Sequence, residues 1–333
     1  MNKKQTGFAI RLIVTILIVI SITRMVKWDE IVAVLMNANI TYILLSVAIV
    51  PLMVGVSVWK WHVLIKAQGI GVSYWKLYVL YLYGNFFNNF FPTSVGGDIV
   101  VWYELGASTN RPTETIASIF MNRFTGLVVV LLGSIIALVF NFAFFRDFYV
   151  AGAMGIAALA SGLVVWFISD RKILEGSIRK FGGIRIVNKF LASLRKFQEA
   201  LNVYRRSYGL VIYVMAISLI YYLMMAINIY LGAKAFNLKP SLLNVIIVLP
   251  FIQIVQMLPI SLGGVGLKEW SYTVAFPYIG ISSSAGLSVA LFVRVKVLLI
   301  GILGGFLYPL TKHIWKDGTP GNAAVSLNKE RIN

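Results

Sequence analysis

Charge-free apolar runs about as long as a bilayer is thick constrain this chain more than any other feature. A transmembrane helix needs about 20 mostly apolar residues. Thr41 to Trp59, Leu127 to Phe145, Phe148 to Ser169 and Leu210 to Ala233 each meet that length. With 59% hydrophobic and only 13% charged residues among 333, lipid is the expected main solvent. The sequence contains no cysteine, which excludes disulfides, thiolate nucleophiles and Cys-ligated metals. No ATP-binding loop, nucleic-acid module or soluble domain is visible, and no cofactor is expected.

The formal charge of +18 is read through its placement. Ten of the 30 basic residues fall between Asp170 and Tyr208, against Asp170, Glu175 and Glu199. Lys and Arg collect on cytoplasmic loops, so this loop is assigned to the cytoplasm. Lys3 and Lys4 precede an apolar run from Phe8 to Ile22 that lacks a small-x-small cleavage site, so an uncleaved first helix over about Phe8 to Met25 is expected. Its outer loop holds Arg24, Lys27, Asp29 and Glu30. The span ending at Trp59 leads to a segment with Lys60, His62, Lys66 and Lys76 that suits the cytoplasm.

Working back from the basic loop, Phe148 to Ser169 runs inward and Ile116 to Phe140 outward. Leu77 to Gly106 must then enter and leave on one side, or span twice as short broken helices. In the second half, Leu210 to Ala233 runs outward and Ser284 to Leu310 inward, with the basic tail inside. The expected fold is an all-α polytopic helical membrane protein in inverted repeats, with about six full spans plus two broken or re-entrant hairpins, up to eight hydrophobic segments. Its parts are a membrane half over 1–169, a basic amphipathic connector over 170–208, an inverted half over 209–311 and a tail over 312–333. Both termini are placed on the inner side of a prokaryotic cytoplasmic membrane.

The broken segments share the pattern Pro-x-Ser-aliphatic-Gly-Gly: Pro92, Ser94, Val95, Gly96, Gly97 in one and Pro259, Ser261, Leu262, Gly263, Gly264 in the other. Carboxamides precede each, Asn88 and Asn89 in one and Gln253 and Gln256 in the other. Acids follow, Asp98 with Glu104 and then Glu269. Each leads to a helix carrying an arginine, Arg123 and Arg294. Gly/Pro-interrupted apolar segments at corresponding places in inverted halves point to a transporter binding site near the midplane. Irregular backbone persists at that depth only beside protein or a water-filled cavity. Close packing through small residues is the plainer alternative.

An arginine at a helix centre costs about 2.5–3.5 kcal/mol on insertion scales and usually faces an interior or cavity. Arg123 and Arg294 are therefore candidates to bind phosphate, which suits a planar guanidinium fork, or to pair with a buried carboxylate. Asp98 is the expected partner of Arg123 and Glu269 of Arg294, unless either carboxylate couples protons. Lys296 is expected to point away from Arg294. In the connector, Val187, Phe190, Leu194, Phe197, Leu201 and Tyr204 fall three and four apart, the spacing of a basic amphipathic helix against the anionic inner leaflet.

Phe86 to Asp98, Asn122-Arg123-x-x-Gly126, Pro259 to Glu269 and Arg294 resemble the lysylphosphatidylglycerol synthase transmembrane-domain family, whose members are also described as flippase-like. The likeness spans Ile31 to Pro309. Asn122 stands where the family commonly has Asp, and Val100-Val101 where an arginine often follows the Gly-Gly-Asp segment. The resemblance implies the membrane half alone, binding and translocating an anionic phospholipid or polyprenyl-linked glycolipid. About twenty residues after the last helix are too few for the family's soluble aminoacyl-transferase domain. Two other readings stay open: a membrane-embedded headgroup transferase or hydrolase, and an accessory protein for a cytoplasmic lipid-modifying or glycosyl-transferring enzyme.

Overall fold

The computed structural model describes residues 27–91, 96–140, 185–258 and 261–316, with isolated positions in 13–24 and 152–163. Among the described residues, ten α-helices have defined bounds, in order α1 Trp28–Met36, α2 Ile40–Ala67, α3 Tyr74–Phe90, α4 Gly96–Thr109, α5 Pro112–Phe140, α6 Arg185–Arg205, α7 Tyr208–Ala235, α8 Leu242–Met257, α9 Leu267–Ala275 and α10 Ser283–Lys316. Two 3-10 turns, Leu262–Gly264 and Phe276–Ile279, flank α9. Among the described residues, four helices are long and apolar enough to cross a bilayer: Ile40–Ala67, Pro112–Ile135, Tyr208–Ala235 and Ser283–Leu310. Leu44, Leu52, Ile212, Leu219, Leu299 and Leu303 are exposed on three of them, the apolar surface that lipid covers. The protein is a polytopic helical membrane protein. The spans expected at Phe8 to Met25 and Phe148 to Ser169 lie mostly outside the described residues.

The repeat reaches down to element boundaries. The 28 residues of α2 correspond to the 28 of α7, and the same shift carries Tyr74, where α3 begins, onto Leu242, where α8 begins. Even the caps correspond. The Ser73 hydroxyl accepts the Lys76 N–H at 3.3 Å, and the Ser241 hydroxyl accepts the Asn244 N–H at 3.0 Å. A serine at that position satisfies a backbone donor that the first helical turn leaves free.

The counterpart helices α2 and α7 pack on each other antiparallel, which makes the repeats inverted. The start of α2 meets the end of α7, where the Asn39 N–H donates to the Ala235 carbonyl at 2.6 Å. Ser46 and Asn228 exchange hydrogen bonds midway, and Trp59 Nε1 donates to the Tyr213 hydroxyl at 3.2 Å further along. Each half also lends a helix to the other: α3 packs on α10, and α8 on α5. Gly304 lies against the Leu82 backbone in the first contact and Gly133 against Pro250 in the second, at corresponding positions. Glycine at such crossings lets helices approach where lipid supplies no hydrophobic drive for association.

At about 1.5 Å per residue, α3 and α4 reach roughly 26 and 21 Å, short of the roughly 30 Å hydrocarbon core. They form one hairpin and α8 with α9 the other. The Arg111 guanidinium, beyond the end of α4, donates to the Gln68 carbonyl beyond the end of α2. The first hairpin therefore opens at the end of the bundle where α6 docks, since the Tyr204 hydroxyl bonds the Leu64 carbonyl and the Gln68 amide bonds the Ala200 carbonyl. The second opens at the opposite end, beside α1, where the Lys27 N–H donates to the Ser284 hydroxyl and Ser282 donates to Glu30. The two tips meet inside, with Gly263 against the carbonyls of Asn89 and Phe91.

Two sequence expectations change in detail. The outer loop holding Asp29 and Glu30 contains a helix, α1, whose Ile31 is buried with Leu287 of α10. The span read as ending at Trp59 continues through Lys60 to Ala67, and Lys60 is buried at 6% exposure. A lysine that charge patterning assigns to a loop is here inside the bundle. The apolar stripe of the connector lies along α6 and, where side chains are described, faces the bundle: Leu201 and Tyr204 are buried against α2, α5 and α7, with Phe197 packed edge-on against Phe120.

Candidate functional site

Both expected ion pairs form, each between residues 25 apart in the chain. Asp98 lies in the first turn of α4 and Glu269 in the first turn of α9, each just past its break, where the helix N-terminus favours a carboxylate. Arg123 donates through Nε to Asp98 at 3.0 Å and through Nη2 at 2.8 Å, a bidentate fork. Arg294 grips Glu269 in the same way through Nε and Nη2, and adds a 2.9 Å bond to the Gly264 carbonyl.

The repeat symmetry stops at their surroundings. Glu269 and Arg294 side chains are only 7% and 18% exposed, whereas Arg123 is 55% exposed. The exposed face of Arg123 looks into a cavity of about 560 Å³. A side pocket of about 160 Å³ adjoins it and shares Tyr81, Asn85, Asp98 and Arg123 as walls. Arg294 and Glu269 line neither space. Of the two candidate arginines, one faces the cavity and the other is sealed in the second hairpin.

The breaks also differ in how they use glycine. Gly97 is buried at the α3 contact, where an added Cβ would overlap the Gly84 carbonyl, so close packing accounts for it, and Gly96 is tight against Phe91. The second break instead turns on left-handed backbone: Gly263 has φ 57° and Gly264 φ 70°. Gly266, with φ 81°, heads α9 and donates its N–H to Glu269 Oε2 at 2.9 Å. Glycine takes these values without the penalty a Cβ brings.

The carboxamides divide between scaffold and cavity. Asn88 Oδ1 accepts the Gly97 N–H at 2.8 Å across the first break, and Asn89 Nδ2 donates to the Val297 carbonyl of α10 at 3.2 Å. Both also line the larger cavity, as do Gln253 and Gln256. Ser261 is buried with no hydrogen-bond partner for its hydroxyl among the described residues. Pro92, Ser94 and Pro259 lie outside the described residues.

Three lysines absent from the sequence-level site face these spaces. Lys60 lines the side pocket and donates to the Asn122 carbonyl of α5 at 2.8 Å. Lys268 and Lys296 line the larger cavity. Lys296 points away from Arg294, as expected. It reaches Ser46 at 2.5 Å and Asn228 Oδ1 at 2.7 Å, with its ammonium 4.4 Å from the Phe292 ring centre. One lysine thus bridges the outer long helices of each half, from α2 to α5 and from α10 to α7. Lys60 becomes a functional candidate only once α2 is seen to continue past it, because an ionisable residue inside a span is costly unless it faces an interior.

The family described as lysylphosphatidylglycerol synthase TM region matches residues 8–305, nearly the whole chain. The chain belongs to that family. Two archaeal relatives, each a UPF0104 membrane protein, are similar along their length. The one from Methanothermobacter thermautotrophicus is 23% identical over 315 residues, covering 89% of this chain and 93% of that protein. The one from Methanocaldococcus jannaschii is 23% identical over 324 residues, covering 91% of this chain and 95% of that protein. No solved structure matches. The antiparallel repeats and paired hairpins described above are thus a concrete architecture for this member of the lysylphosphatidylglycerol synthase TM family.

Proposed function

We propose that this protein binds the anionic headgroup of a membrane lipid in the cavity at Arg123 and translocates it between leaflets. The observation that carries the reading is the free side of Arg123. Asp98 occupies two of the five guanidinium N–H donors and fixes the plane of the group, leaving the others turned to a cavity walled by carboxamides and lysines. Inverted halves meeting at broken hairpins supply the means, since rocking one half against the other exposes a midplane site to each side in turn. Family membership supports a lipid cargo, and the substrate contacts would come from Arg123, Asn88, Asn89 and Gln256.

The membrane is taken to be the cytoplasmic one, with both termini inside. Lys66, Lys76, Arg111, Arg195, Lys196, Arg205 and Arg206 gather at the end of the bundle where α6 docks, the distribution expected of an inner face. Because the chain lacks cysteine, single cysteines report sidedness directly. A cysteine at Lys196 is expected to resist an impermeant maleimide applied to intact cells, and one at exposed Asn237 to react. The reverse pattern would invert the assignment.

Translocation is tested in proteoliposomes carrying acyl-chain-labelled phosphatidic acid, phosphatidylglycerol or phosphatidylcholine, with an impermeant quencher added outside. The inner-leaflet label of at least one anionic lipid should become accessible faster than in protein-free vesicles, and faster than labelled phosphatidylcholine. Equal rates for all three with and without protein would sink the reading.

A further inference from the structure

Resting on the anionic-lipid reading, we infer that the cavity is built for a headgroup bearing at least two negative charges, of the diphosphate class, and not for a single phosphodiester or an aminoacylated lipid. The ground for this is the balance of charge around the cavity. Four basic side chains, Lys60, Arg123, Lys268 and Lys296, line the cavity and its side pocket, against one carboxylate, Asp98, among the described residues. Asp98 is already committed to Arg123 by the bidentate fork. Glu269 is committed to Arg294 away from the cavity.

None of the three lysines has an ion-pair partner among the described residues. Lys60 and Lys296 are 6% and 3% exposed and hold only neutral oxygens, namely the Asn122 carbonyl, the Ser46 hydroxyl and the Asn228 amide. The Lys268 side chain makes no hydrogen bond among the described residues and borders the space where Arg123 opens. Burial favours the neutral form of an amine that has only neutral oxygens for partners, and an anion bound in the cavity would restore and balance the ammonium charge.

A phosphodiester brings one negative charge and leaves at least two lysines unbalanced. A diphosphate brings two or three, which comes closer to balancing Arg123 and the lysines that line the same space. A lysyl ester, the product after which the family is named, adds an ammonium of its own and would worsen the imbalance.

Binding of short-chain probes to the full-length protein in detergent separates the possibilities. The probes are farnesyl diphosphate, farnesyl methyl phosphate (a phosphodiester), inorganic diphosphate and a short-chain phosphatidylcholine, each titrated against wild type and against Lys268→Gln plus Lys296→Gln. Wild type should prefer farnesyl diphosphate over farnesyl methyl phosphate by about tenfold or more, a difference of about 1.4 kcal/mol. The double variant should lose that preference. If replacing buried Lys296 unfolds the protein, Lys268→Gln alone, at a more exposed position, is expected to shrink the preference. Equal affinity of wild type for the two farnesyl probes overturns the diphosphate inference while leaving the anionic-lipid reading in place. Failure of both to bind better than phosphatidylcholine overturns that reading as well. Inorganic diphosphate binding as tightly as farnesyl diphosphate would assign the site to a free ion and overturn the lipid source.

Discussion

Glu269→Gln is expected to lower the stability of the folded protein by about 3–5 kcal/mol, the usual cost of breaking a buried ion pair from one side. Asp98→Asn, at the corresponding position of the first half, is expected to cost no more than about 1 kcal/mol, in line with accessible pairs. Glu269 balances an arginine that is 18% exposed and also receives the Gly266 N–H, while Arg294 holds the Gly264 carbonyl. Losing the carboxylate charge therefore leaves an uncompensated guanidinium and loosens the left-handed turn it fastens. Arg123, by contrast, can turn to solvent in the cavity when Asp98 is neutralised. Denaturant or thermal unfolding in one detergent would rank the two variants. A double variant, Glu269→Leu with Arg294→Met, should recover part of the loss because it removes both charges together. Equal destabilisation by the two single variants would mean that the pairs are energetically alike and that the asymmetry of burial carries no weight.

Charge reversal at Arg123 is the second large effect, and it appears in binding. Arg123→Glu removes the guanidinium and places a second carboxylate beside Asp98, so an anionic headgroup meets repulsion where it met donors. Two charge-assisted hydrogen bonds at roughly 1.5–3 kcal/mol each correspond to a loss of about a hundredfold or more in affinity. Native mass spectrometry of the purified protein should show anionic lipid on wild type and none on the variant. Arg294→Gln, measured on its folded fraction, should keep the lipid, because Arg294 does not border the cavity. Retention by both variants, or loss from both, would remove the distinction drawn between the two arginines.

Much of this site is legible in the sequence. Asp98 with Arg123 and Glu269 with Arg294 were paired from their places after two similar breaks, and both pairs form. The connector stripe, read from three- and four-residue spacing, packs through Leu201 and Tyr204. Lys60 was not legible, because positive-inside reasoning treats the first lysine after an apolar run as the edge of the membrane. Whether such a lysine marks a loop or lines an interior depends on the helix continuing and on which neighbour covers it. Here α2 continues to Ala67 and the covering neighbour is α5. Lys296 shows the same limit, since its partners Ser46 and Asn228 lie far away in the chain.

By itself the sequence determined the solvent, the helical class, the inverted repeat and the two carboxylate–arginine pairs. Each follows from short-range information: the length of apolar runs, the spacing of charges and the recurrence of one pattern. Only the tertiary structure decided which copy of the repeated pattern would face a cavity. Two half-sequences that share one pattern do not say which copy will be sealed. That is a matter of long-range packing, in which α3 lies on α10, α8 on α5, and the two hairpin tips meet. In the packed bundle Arg294 is sealed and Arg123 open, with lysines from α2, α9 and α10 lining the cavity and its side pocket.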